Sequence, residues 1–165
     1  MQNFFKHSKR LAAQFLLALT AAFLLAACSN PEKSDVIEIS KVFSSNGYSP
    51  DTQQQFQQKM MSAKSEAEQA ALIKEMTDRF EKTAADLEKT SLRSEEGRSA
   101  RDHLAKGFKG IAVSTRKAIE NAHADEKTQT AIAMEASEAQ TEMMQGYAEL
   151  TALAKKHNLT MGNDK

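Results

Sequence analysis

Ser94 to Ala122 reads SEEGRSARDHLAKGFKGIAVSTRKAIENA, and Asp125 to Asn158 reads DEKTQTAIAMEASEAQTEMMQGYAELTALAKKHN. In the first stretch Ala100, Leu104, Phe108, Ile111, Thr115, Ala118 and Ala122 recur in steps of three and four. In the second, Ile132, Ala136, Ala139, Met143, Tyr147, Leu150, Leu153 and His157 do the same. That spacing lines one face of an α-helix. Ser94 followed by Glu95 and Glu96 reads as a helix N-terminus, and Asp125 caps the next helix after a connection over Asn121 to Asp125. At 1.5 Å per residue the two helices span roughly 40 to 50 Å. A short loop between long helices makes them antiparallel neighbours, so the fold class is all-α, an up-down bundle.

Upstream, Phe56, Met60, Ala63, Ala67, Ala70, Ile73, Met76, Phe80, Ala84 and Leu87 keep helical spacing from Thr52 onward. Ser49-Pro50-Asp51 marks the start, with a cap candidate before a proline at the first helical position. Ser65 with Glu68 reads as a capping box, which leaves two forms open: one long helix to Thr90, or two. Glu75 to Arg79 and Asp78 to Lys82 are acid-first i,i+4 pairs for the solvated face. Thr90 to Ser94 is a break. Asn46-Gly47 is a turn signal, and Asp35 to Phe43 before it fits helix or strand equally. Ser29 to Asp35 is polar and aperiodic and carries Pro31, so it reads as a flexible tether. The expected bundle has three to four helices over 50–158, after a tether and short ambiguous segment over 28–49 and before a tail over 159–165.

Charge divides the 165 residues more sharply than the neutral total of 22 basic and 22 acidic groups implies. Residues 1–27 hold Lys6, Lys9 and Arg10 and no acid, while everything from Cys28 onward carries a net −3. That later part has only 20 Leu, Ile, Val and Phe but 19 Ala and 7 Met. So thin an aliphatic supply argues against a buried parallel sheet or a large two-domain enzyme; Ala-rich, Gly-poor composition with little net charge argues for helices rather than disorder. Met1 to Arg10 is basic, Leu11 to Leu25 is apolar except for Gln14 and Thr20, and small residues follow. This is the layout of a secretory signal over 1–27, too short in its apolar part for a span of about 20 residues.

Leu25-Ala26-Ala27-Cys28, at the close of that apolar run, resembles the lipobox of bacterial lipoproteins. The resemblance implies cleavage after Ala27 and acylation of Cys28, so that the mature chain is held by membrane lipid. Asp directly after the cysteine is the family's common inner-membrane retention signal; Ser29 stands there, which implies the outer membrane of a Gram-negative cell. A lone thiol in an oxidising compartment is otherwise a reactive liability, and a thioether to lipid removes it. The resemblance covers the export signal alone and leaves the activity of the helical body open.

Within the body, Gly107-Phe108-Lys109-Gly110 sits where each Gly costs about 1 kcal/mol relative to Ala. Unbroken helical period around it argues against a nucleic-acid GXXG loop and for close approach by a neighbouring helix, with Gly146 as a facing contact, or for a kink. Arg98, Arg101, Lys106, Lys109, Arg116 and Lys117 make the first quoted helix basic, and Glu135, Glu138, Glu142 and Glu149 make the second acidic. Two readings follow: a basic strip for an anionic partner, such as an envelope protein or a cell-wall component, or adjacent helices whose flanking charges select their pairing. The second is preferred.

Glu120-Asn121-Ala122-His123 is one Glu-x-x-His unit, but Ala100 and Ala154 precede His103 and His157, so the second copy a di-iron bundle needs is missing. Met60 or Met61 with His157 is a haem-type pairing more simply read as core and helix-end residues. No metal and no cofactor is expected. Gly-x-Ser-x-Gly, His-Glu-x-x-His, a phosphate-binding Gly-rich loop and Cys-x-x-Cys are all lacking, and Asp102-His103 neighbours diverge by about 100° on a helix. The sequence therefore favours a non-enzymatic binding module on the envelope. The alternative is a periplasmic carrier of a small molecule, haem or metal within the bundle.

Overall fold

A computed structural model of the chain describes residues 30–159, which form five helices: α1 Pro31–Ser45, α2 Pro50–Ser62, α3 Glu66–Lys89, α4 Glu95–Glu120 and α5 Glu126–Lys156. The local signals act where the residue types predict. Ser49, Ser65, Ser94 and Asp125 each accept a backbone N–H through their side chains at the start of a helix, and Ser65 with Glu68 completes the capping box. That box separates α2 from α3, so 52–90 is two helices. Asn46-Gly47 turns the chain, with Gly47 at φ +77°, a left-handed conformation that suits glycine.

Helices α3, α4 and α5 run up, down and up. Lys109 reaches Glu88 and Arg116 reaches Glu81 across the first pair, and Lys117 reaches Glu135 across the second. Helix α1 lies over one end of this trio, antiparallel to α5, with Glu32 beside His157 and Phe43 beside Tyr147. The centre of the core is aromatic. Phe43 of α1, Phe80 of α3 and Tyr48 of the α1–α2 turn surround Phe108 of α4 with ring centroids 5.6 to 5.9 Å apart, and Tyr147 of α5 stacks on Phe43 at 6.0 Å. Four helices thus each insert a ring at one level, which fixes their relative heights. Helix α2 packs more lightly, through Phe56, which is buried beneath the Arg79 guanidinium.

Two expectations change. The bundle has five helices among the described residues rather than three or four, because α2 and α3 are separate and the segment before residue 46 is helical. The tether expected over 29–35 is, from Pro31 onward, the first turn of α1, capped by Asn30. Its polar residues misled because one of them is buried: Asp35 is 1% exposed, and its carboxylate accepts hydrogen bonds from the backbone N–H of Arg93 and Ser94 and from the Ser94 hydroxyl. The bundle therefore includes residues that the sequence pattern assigns to the linker. Cys28 lies outside the described residues. Among those that are described, no helix is long and apolar enough to cross a membrane.

Candidate interaction surface

The basic strip on α4 is spent inside the molecule. Arg98 donates to the Leu92 and Arg93 carbonyls, and Arg101 to the Thr90 carbonyl and Asp102. Lys109 and Arg116 pair with Glu88, Glu81 and Asp78 of α3; Lys106 and Lys117 pair with Glu142 and Glu135 of α5. The opposite charges of α4 and α5 do meet, as the preferred reading holds, but α3 and the α3–α4 connection take the other four cations. On α3, Asp78 pairs with Lys74 and Arg116 instead of Lys82, which turns to Asp86 and Asn46.

These clamps have a pH signature. The Arg116 guanidinium, by hydrogen bond and charge, holds the Glu81 carboxyl below its ordinary value of 4.5. A carboxylate whose folded value is depressed contributes stability that is complete above its unfolded value and is lost as pH falls through the folded one. The melting-temperature gap between the parent and Glu81→Gln is therefore expected to hold above about pH 4.5 and to close as acid is added. A gap that widens toward low pH would contradict the clamp. His103 belongs to a similar group on the α4–α5 edge, with Nδ1 at 2.6 Å from Glu142 and Nε2 at 2.9 Å from the Gln145 amide. Lys106 and His103 together hold Glu142 below the ordinary carboxylate range.

The remaining candidates are dispersed. His123 is exposed in the α4–α5 connection, Met61 is 81% exposed at the end of α2, and His157 Nε2 is engaged by Glu32 at 2.6 Å. Among the described residues no three His, Cys, Asp or Glu side chains converge as a metal site would require. The Gly107-Gly110 reading does find its contact. A Cβ on Gly107 would stand 2.5 Å from Met143 Cβ and 2.6 Å from its backbone nitrogen, and one on Gly110 would stand 2.5 Å from Ala139 Cβ. Gly146 faces Leu104 and Ala100 in the same seam.

With its acidic edge turned to α4, α5 presents an unusual outer face. Thr130, Met134, Ser137, Thr141, Met144 and Ala148 are all exposed, and Thr151 continues the line. They lie opposite the buried set Ala139, Met143, Leu150 and Leu153. Between Thr128 and Ala154 the only exposed charged side chains are Glu135, which pairs with Lys117, and Glu138 at the edge where α5 meets Lys106 and Gly110 of α4. Met134 and Met144 are each 61% exposed, among the most exposed large apolar side chains described. In a chain with 27% charged residues, a face of about 30 Å without charge is a surface feature that the packing of the described residues leaves unexplained. Sequence reasoning misses this face because the apolar, core-facing period dominates α5; the signal that finds it is the complement, small and polar residues with Met134 and Met144 stepping four and three from Thr130.

The family model described as Uncharacterised lipoprotein PM1805 matches residues 33–158, from the first turn of α1 to the residue after the α5 C-cap. The match is to the helical body and leaves out Leu25 to Cys28, so it supports the lipoprotein reading independently of the lipobox. No curated protein and no solved structure matches the chain.

Proposed function

The chain belongs to the family of uncharacterised lipoprotein PM1805, and on that premise we propose that it is an envelope interaction module, non-enzymatic, anchored through Cys28 and making contact through the outer face of α5. The observation that carries this reading is the uncharged, Met-bearing exposed face on the longest of the described helices, in a domain whose α4 cations are committed to internal partners. Exposed apolar side chains rimmed by polar ones are the usual mark of a contact surface. The α4 strip is a poorer candidate for an anionic partner, because binding there would first break its pairs with α3 and α5.

The anchor is close to the body. Two residues, Ser29 and Asn30, separate Cys28 from Pro31, so even fully extended they reach about 10 Å. The end of the bundle carrying Glu32, Arg93 and Lys156 is thereby held near the headgroups, and the α4–α5 connection stands away from them. Each buried methylene contributes about 0.8 kcal/mol, and two or more acyl chains hold a protein stably where one does not. Cys28→Ala is expected to move the protein from the membrane to the soluble fraction with its helices intact; retention on the membrane would remove the anchor assignment. Ser29→Asp is expected to shift it from outer-membrane to inner-membrane fractions on a density gradient, and an unchanged distribution would remove the outer-membrane assignment.

The contact surface is tested by photo-crosslinking in cells from Thr141 and Met144, with Ala71 on the exposed side of α3 as comparison. Adducts concentrated at the two α5 positions support the reading. Equal yields at all three sites would overturn it.

A further inference from the structure

We propose that the outer face of α5 docks against the same face of a second copy of this chain, parallel and in register; this rests on the reading of that face as a contact surface. The spacing specifies a helix as occupant. Thr130, Met134, Ser137, Thr141, Met144 and Ala148 follow one another in alternating steps of four and three, continued by Thr151. That is a mean of 3.5 residues, the seam of a two-stranded coiled coil. Seven layers over about 32 Å all lie on the exposed side of one helix.

The anchor selects a copy of the same chain and its direction. Glu32, four residues after Cys28, pairs with Lys156 and His157, so the lipid end of the chain emerges beside the C-terminus of α5. Copies held in one leaflet by so short a link present α5 in the same sense and at the same height. A parallel pair in register then needs no rearrangement of the anchor, whereas an antiparallel pair would have to lift one anchor out of the bilayer. Confinement to a surface also raises the effective concentration, which suits a seam of Thr, Ser, Ala and Met too modest to associate strongly in dilute solution.

Charge agrees with this pairing. In a parallel pair the positions flanking the seam meet five residues apart, which brings Ala133 to Glu138 and Gln140 to Gln145 of the second copy. No like charges face each other. Glu135, Glu142 and Glu149 lie beyond those flanking positions, turned toward α4, where Lys117, Lys106 and His103 meet them. The layers are self-complementary in register: Met against Met at 134 and 144, hydroxyl against hydroxyl at 130, 137, 141 and 151, and a close approach at Ala148.

The test uses the full acylated chain in membranes, where Cys28 is blocked by lipid. Thr141→Cys is expected to oxidise to a disulfide-linked dimer in most of the protein, while Ala71→Cys on α3 stays monomeric. Met134→Cys should crosslink with itself and not with Ala148→Cys when the two variants are mixed, since the two positions are about 21 Å apart along the helix. Met144→Glu, added to Thr141→Cys, should lower the dimer yield about tenfold by placing a carboxylate in the seam, with an unchanged melting temperature. Dimerisation of Thr141→Cys no greater than that of Ala71→Cys overturns the pairing, and so does preferential joining of 134 to 148. A benzophenone side chain at Thr141 separates the two levels. Adducts only to other proteins discard the self-pair and keep the contact surface; no adduct at all overturns both.

Discussion

Asp35→Ala is expected to destabilise the domain by about 3–5 kcal/mol and to loosen α1 before the rest of the bundle. The size of the loss is set by what the carboxylate does. Asp35 Oδ2 accepts from the Ser94 amide at 2.7 Å and from the Ser94 hydroxyl at 2.6 Å, and the Arg93 amide lies 3.0 Å from Oδ1. Ser94 is itself the cap of α4 and accepts the Gly97 amide. The negative charge thus sits at the N-terminus of a 26-residue helix, where the helix dipole favours it. Removing the carboxylate leaves buried donors without acceptors, at about 1–3 kcal/mol each, and withdraws the charge from the dipole. Gly97 records how tightly the group is held, since a Cβ there would lie 2.5 Å from Asp35 Oδ2.

The measurement is thermal or denaturant unfolding of the body, with hydrogen exchange to locate the loss. Asp35→Asn keeps the shape and one acceptor and should cost roughly half as much. A fall in stability under about 1 kcal/mol for Asp35→Ala would show that water replaces the carboxylate at no great cost, and the clasp would lose its importance. The consequence reaches the membrane. Asp35 fixes the helix that begins three residues after Cys28, so a loosened α1 would become the flexible tether that the sequence pattern suggests. The in-register pairing of α5 faces would then weaken without any change to α5 itself.

Which features were legible in the sequence follows from the range of the forces involved. Ser65 with Glu68, Ser94, Asp125 and Asn46-Gly47 act within four residues of themselves, and all four do what their types predict. The core faces of α4 and α5 were equally readable, because Leu104, Phe108, Met143 and Leu150 are apolar at one period. Asp35 was not, because its partners lie 58 and 59 residues away and nothing local separates a clasp from a solvated acid. The α4 cations were half legible: their residue types announced pairing, but only the packing of α3 against α4 sends Lys109 and Arg116 one way and Lys106 and Lys117 the other. The α5 outer face is a third kind of case. Its residues are weak signals singly, and they acquire meaning only when the structure shows that nothing in this domain covers them.

Gly107→Ala has an expected sign opposite to that of helix propensity, which makes it the sharpest test of the α4–α5 seam. In an exposed helix interior the change would stabilise by about 1 kcal/mol. Here the new methyl would meet the Met143 backbone nitrogen at 2.6 Å and its Cα at 2.7 Å, atoms that no rotamer change can move. The helices must separate, opening contacts along both, and overpacking of this kind costs about 1–3 kcal/mol after the propensity gain is spent. Gly146→Ala should behave alike, since its Cβ would meet the Leu104 backbone nitrogen at 2.7 Å and the Ala100 carbonyl at 2.9 Å. Gly110→Ala differs in a way that can be measured, because its nearest obstacle at 2.5 Å is the Cβ of Ala139, with Cα a full 3.5 Å away. Ala139→Gly removes that obstacle and should restore most of the stability lost in Gly110→Ala, a favourable coupling in a double-mutant cycle. The same rescue cannot operate at Gly107, where Met143→Gly would leave the backbone in place and add a cavity. If Gly107→Ala proves as stable as the parent or more so, the two helices are not held at glycine distance, and the register that turns the acidic edge of α5 toward α4 and its uncharged face outward would have to be redrawn.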